Sequence, residues 1–239
     1  MGTTATDYSI LRHAGATWEL AKYAGEQKSK DGAMQQKIES SLDYLVKETV
    51  YKDNNTAFLA DREYKEAKVG GNGLALLAMI EYEKAYGTGR YLEVCKKLGN
   101  GIADMMDRTG KMNHVYYYGE SGQKDFTLKA EWRVSYYDGE AAYALCLLHG
   151  LTGEKKWLDL AKRAVDFFLR EGPENHSDQW SAYTFNEITK YAPKEEYFRF
   201  AMESLANDLP QIEAKKTAAF TSMEKLMCYF EMVERMEAK

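Results

Sequence analysis

The sequence predicts a mainly all-α fold of repeated helical hairpins, carrying small β-hairpin insertions, and three observations predict it. First, three inter-helix junctions match: Gly87-Thr88-Gly89-Arg90-Tyr91-Leu92-Glu93, Thr152-Gly153-Glu154-Lys155-Lys156-Trp157-Leu158-Asp159 and Ala192-Pro193-Lys194-Glu195-Glu196-Tyr197-Phe198-Arg199. Each has a breaker, a charged pair, an aromatic, an apolar residue and a charge, so one supersecondary unit repeats every about 60 residues, with insertions. Second, nearly all-apolar helices alternate with amphipathic ones. The first kind suits burial on both sides and the second an outer layer, and hairpins layered in this way build a ring or a solenoid. Third, three prolines in 239 residues leave long helices uninterrupted.

In chain order, Tyr8 to Ala24 reads as a helix buried over a wide arc, through Ile10, Leu11, Ala14, Trp18, Leu20 and Ala21. Ala33 to Val50 is its amphipathic partner, with Ile38, Leu42, Leu45 and Val46 on one stripe. Asp53-Asn54-Asn55 makes a turn, and Thr56 to Val69 reads as a short strand and loop. The pattern restarts at Gly70-Gly71-Asn72-Gly73 with an apolar helix, Leu74 to Tyr86, then an amphipathic one from Arg90 to about Arg108. Lys111 to Tyr118 and Phe126 to Val134 read as two strands joined by Gly119-Glu120-Ser121-Gly122. Gly139 to Gly150 is apolar and Lys155 to Leu169 amphipathic. A further round runs from His176 to Tyr191 and pairs with Glu195 to Leu209, and a last apolar helix spans Thr217 to Met236.

Composition narrows the function. With 45% hydrophobic and 29% charged residues, the chain fits one globular domain over 1–239. A net charge of −5 and a pI near 5.6 argue against nucleic acid, which requires clustered cations. Cys95, Cys146 and Cys228 lie in apolar helical patterns without zinc spacing and read as buried thiols. Four scattered histidines argue against a metal centre, no cofactor is expected, and no run reaches the ~18 apolar residues of a membrane helix. No signal-peptide pattern stands near the N-terminus, which leaves an upstream signal or anchor, and so the compartment, open.

The hairpin pattern, Tyr136-Tyr137-Asp138-Gly139-Glu140-Ala141, His176-Ser177-Asp178-Gln179-Trp180 and the Thr-Gly-x-x-x-aromatic-Leu junctions resemble the six-hairpin glycosidase-like (α/α) toroids. That architecture serves unsaturated glucuronyl hydrolases, rhamnogalacturonyl hydrolases, some polysaccharide lyases and sugar epimerases. A full ring needs six hairpins; this sequence holds four and a single helix. Either the ring is incomplete, the chain is a piece of a longer one, or another chain closes it.

In such a ring the inner helices begin on one rim. Arg12 and His13, Asn72, Asp138 and Glu140, Asp178 and Trp180, and Lys216-Thr217 would gather there with the β insertions. Converging helix N-termini suit hydroxyl-rich or anionic ligands. Glycoside hydrolysis requires two carboxyl groups roughly 5–10 Å apart. Asp138 or Glu140 with Asp178 form the candidate catalytic set, although Asp138 and Asp178 equally suit N-caps. Arg12, His13, Trp18, Asn72, Glu131, Arg133, Tyr136, Tyr137, His176 and Trp180 are candidate sugar contacts. Helix capping, packing between layers, and an ion pair between Glu131 and Arg133 are the competing structural roles.

Three functions follow: a glycoside hydrolase on an acidic or bacterial polysaccharide, a non-catalytic helical domain binding polysaccharide or protein in an envelope or polymer-synthesis system, or a sugar epimerase or lyase using His or Tyr.

Overall fold

The computed structural model describes residues 8–29, 31–119, 126–129, 132–215 and 220–237. The chain forms two compact units. The first comprises Met1–Ile102 and Val115–Ala130, the second Ala103–His114 and Glu131–Lys239.

In the first unit, helix α1 (Ile10–Glu26) packs on α3 (Val69–Tyr86) and on α2 (Gly32–Lys47). Helix α3 is apolar all round and almost wholly buried, whereas α2 buries only a stripe of Ile38, Leu42 and Leu45. The glycines before Leu74, where the helical pattern was expected to restart, form the first turn of α3, which begins at Val69. Their lack of a side chain permits close packing: a Cβ on Gly71 would come 3.2 Å from Leu11 Cγ.

Strands β1 (Thr49–Tyr51), β2 (Ala57–Asp61), β3 (Glu66–Lys68), β4 (Val115–Tyr118) and β5 (Phe126–Leu128) form one antiparallel sheet in chain order. Two separate insertions were expected. They are joined by β3 and β4, with Glu66 opposite Tyr117 and Lys68 opposite Val115, a long-range pairing that no local sequence signal encodes. The β4–β5 hairpin forms in the expected place, with Tyr116 opposite Leu128. The turn residues 120–125 lie outside the described residues. Strand β5 ends at Leu128, so Arg133, expected on a strand, stands in the segment leading into the next helix.

Helix α4 (Leu92–Met105) leads towards the second unit, which contains α5 (Tyr137–Thr152), α6 (Lys155–Glu171), α7 (Gln179–Tyr191), α8 (Glu195–Lys215) and α9 (Phe220–Glu237). Helix α5 packs on α6 and α7, and α7 packs on α9. The apolar α5 is buried on nearly every side, while α6 buries Trp157, Leu158, Ala161, Val165 and Phe168 on one face. The aromatic of each repeated junction, Tyr91, Trp157 or Tyr197, is buried. Gly87 and Gly153 end α3 and α5 in the left-handed conformation, at φ of 62° and 70°, as C-terminal caps.

Helices α5 and α7 approach closely at Gly139, where a Cβ would lie 2.7 Å from Trp180 Cβ and 2.8 Å from Ser181 N. Cys95, Cys146 and Cys228 are buried free thiols. Among the described residues no helix is long and apolar enough to cross a membrane.

Candidate functional site

The second unit contains a cavity of about 270 Å3 lined by Lys111, Arg133, Ser135, Asp138, Phe167, Glu171, Asn175 and His176. Asp138 is its best-defined member. It sits in the first turn of α5, where Tyr136 occupies the N-cap position, so Asp138 is not the cap. Its Oδ2 accepts from Arg133 Nη2 at 2.7 Å and from His114 Nε2 at 2.9 Å.

The tautomer of His114 follows from its other nitrogen. Val134 N–H donates to His114 Nδ1 at 2.8 Å, which places the ring proton on Nε2, facing Asp138. Arg133 is held in turn by Met112 O at 2.9 Å and lies 5.9 Å from the Phe167 ring centre. Both donors therefore fix one carboxylate oxygen. The other, Oδ1, is buried without a hydrogen-bond partner among the described residues.

His176 has the same character. It is 4% exposed and stacks on Phe168 at 4.4 Å with its edge towards Phe167. Its Nδ1 is buried and unpartnered among the described residues. Burial lowers its pKa below the usual 6.5, outweighing the pull of Asp138 and Asp178, so the ring is neutral at neutral pH. Buried polar atoms in folded proteins nearly always have partners. Asp138 and His176 both belong to the lining of this one cavity.

Glu140 is also buried in the first turn of α5. Burial first, and the charge of Asp178 second, push its pKa up to about 8, so it carries a proton at neutral pH. Asp178 is the N-cap of α7. Its Oδ1 accepts from the N–H groups of Trp180 (2.9 Å) and Ser181 (3.1 Å), and its Oδ2 accepts from Ser181 Oγ (3.0 Å). Burial raises its pKa against these bonds. Asp178 thus has a full structural occupation, and neither it nor Glu140 lines the cavity; the second carboxylate there is Glu171.

The remaining expected residues divide by unit. In the first, His13 bonds Ser41 Oγ at 2.6 Å and Tyr8 at 2.9 Å and stacks on Tyr44, which ties α1 to α2. Arg12 is exposed, and its amide receives the Ser9 cap. Trp18 is buried in the core. Asn72 is fully buried: Oδ1 accepts from Leu59 N and Nδ2 donates to Lys68 O, both at 2.8 Å, so it joins α3 to β2.

In the second unit, Tyr137 and Trp180 are core residues, whereas Tyr136 is exposed and meets Tyr137 edge-on. Glu131 lies outside the described residues, as does Lys216-Thr217. The expected partner of Arg133 was Glu131; the structure pairs Arg133 with Asp138. Sequence reasoning missed Lys111, His114, Ser135, Phe167, Glu171 and Asn175. They come from a loop, a helix end and a turn, and nothing in their local sequence marks them.

No family model and no curated protein matches the chain. Solved structures do. An alpha-1,6-mannanase of a Salegentibacter species, solved as an inactive variant with two consecutive aspartates replaced and alpha-1,6-mannotriose bound, matches with TM-score 0.66 at 15% identity over 84% of this chain. Cellobiose 2-epimerase from Bacillus thermoamylovorans matches with TM-score 0.64 at 12% identity over 84%, and a D-mannose isomerase with 0.63 at 15% over 83%. The fold is of the (α/α) toroid class. The chain spans 64% of the length of the mannanase, 60% of the epimerase and 59% of the isomerase.

Proposed function

We propose that the chain is a carbohydrate-active domain whose second unit binds a sugar in the Asp138 cavity and hydrolyses a glycosidic bond there. The carrying observation is the Asp138 carboxylate, which belongs to the cavity lining and has one oxygen fixed by Arg133 and His114 and the other buried without a partner among the described residues. A sugar hydroxyl would supply the missing donor. Two carboxylates, Asp138 and Glu171, balance Lys111 and Arg133 around the lining, which favours uncharged hydroxyl groups over the anionic sugar expected from sequence. Asp138, held against a guanidinium, is the nucleophile or base. Glu171, the exposed carboxylate of the lining, is the proton donor.

The related folds support sugar chemistry without dictating its form. The mannanase that binds mannotriose is inactive when two consecutive aspartates are replaced. This sequence contains no such pair, and Gly139, which follows Asp138, has no room for a side chain. Its carboxylate arrangement is therefore its own.

The test is release of reducing ends from a panel of neutral and acidic oligosaccharides, mannans included. D138N and E171Q abolish release and leave the circular dichroism spectrum intact; full activity in D138N overturns the reading.

One observation favours a second reading. Neutral His176 lines the same cavity, with an Nδ1 that has no partner among the described residues, and a neutral imidazole suits proton transfer at a sugar carbon, as an epimerase or isomerase requires. Solvent deuterium appearing at a sugar carbon, lost in H176Q but kept in E171Q, would establish that alternative.

A further inference from the structure

Helix α9 carries a feature that the cavity does not use. Phe220, Met223, Met227 and Phe230 follow one another at intervals of three, four and three, so they form a single stripe along the helix. The stripe points outward: these residues are 80%, 49%, 63% and 65% exposed. The opposite face, with Cys228, Tyr229 and Met232, is buried. Single exposed apolar residues are ordinary, but four in line make a contiguous patch of the kind that marks an interaction surface.

We propose that this stripe is a homodimer interface in which α9 packs antiparallel against α9 of a second copy. The order Phe, Met, Met, Phe reads the same in both directions. A two-fold axis between Met223 and Met227 therefore sets each Phe220 against Phe230 of the second copy, and each Met223 against Met227. This is the self-complementarity that an isologous contact requires.

Charge selects the orientation. Beyond Phe230 the helix carries Glu231, Glu234 and Glu237, while its first turn has no acidic residue. Antiparallel pairing brings the acidic end of each α9 towards the N-terminal end of the other, where the helix dipole is positive. Parallel pairing would set each glutamate beside its own copy. Two phenylalanines, each able to bury on the order of 150–250 Å2, and two methionines bring the contact to about 1,000 Å2, the lower bound of a specific interface.

Sedimentation equilibrium between roughly 1 and 100 μM tests this. The wild-type chain should pass from monomer to dimer, and M227E, at an exposed position that leaves the monomer's fold and melting curve unchanged, should stay monomeric throughout. Disulfide trapping tests the orientation: a mixture of F220C and F230C chains should cross-link, and F220C alone should not. The native cysteines, being buried, give little background. A monomer at every concentration, a dimer that survives M227E, or cross-linking of F220C alone as efficient as that of the mixture overturns the proposal.

Discussion

Helices α3 and α5 are two versions of one element, each an apolar inner helix that opens on a glycine-rich polar turn, and the two turns use their polar groups in opposite ways. Asn72 of α3 satisfies both ends of its amide on backbone groups. Asp138 of α5 has one oxygen held by two donors and the other left without a partner among the described residues, and Glu140, one turn position away, leaves Oε2 in the same condition. A helix start that saturates its polar atoms is scaffold. One that buries them unsaturated carries a cost of about 1–3 kcal/mol per group; at Asp138 the proposed ligand would offset it, whereas Glu140 lies outside the cavity lining.

The contrast between Asp138 and Asp178 should break first if it is wrong. D138N is expected to lower kcat/KM by about 10²–10⁴-fold. D178N, with asparagine as good a cap as aspartate, should change activity and stability little. Equal losses in the two variants would mean that Asp178 also does chemistry.

Glu140 sharpens the comparison through pH. Its folded pKa, about 8, stands above the usual carboxylate value of 4.5, so the native state holds this proton more tightly than the unfolded chain does. Its contribution to stability is full below pH 4.5, declines as pH rises, and is lost above about pH 8. The change is on the order of 5 kcal/mol at most. Denaturant melts across this range should show E140Q much flatter than wild type; parallel profiles would show that Glu140 is ionised and solvated.

On the scaffold side, N72A removes the partners of Leu59 N and Lys68 O and should cost about 2–4 kcal/mol, read from the urea midpoint, with kcat unchanged. A changed kcat would place α3 in the chemistry. A smaller loss is expected of D178A, which loses the cap and should destabilise by about 0.5–2 kcal/mol, measurable as a lower Tm.

Much of the fold was legible because helices are written locally. The alternation of apolar and amphipathic segments, the left-handed caps at Gly87 and Gly153 and the buried junction aromatics Tyr91, Trp157 and Tyr197 all obey spacings within a few residues. The helix start at the glycines before Leu74 was legible as well, but not the close approach of Leu11 that Gly71 permits, because that contact joins helices far apart in sequence. The site was legible only in part. Asp138, Arg133 and His176 were named from sequence, but so was Asp178, since an N-cap and a catalytic aspartate look alike until the hydrogen-bond partners are known.

The sequence by itself determined the helical hairpins, their order and the motif that opens α5, because hydrophobic periodicity and capping act over one or two turns. Only the tertiary structure decided that Lys111, His114, Arg133, Glu171 and His176 converge on Asp138, and that β3 meets β4. Apart from Arg133, five residues before Asp138, those contacts join segments more than twenty residues apart, and they form because packing the helices leaves each polar atom one place in which it can find a partner, or fail to find one.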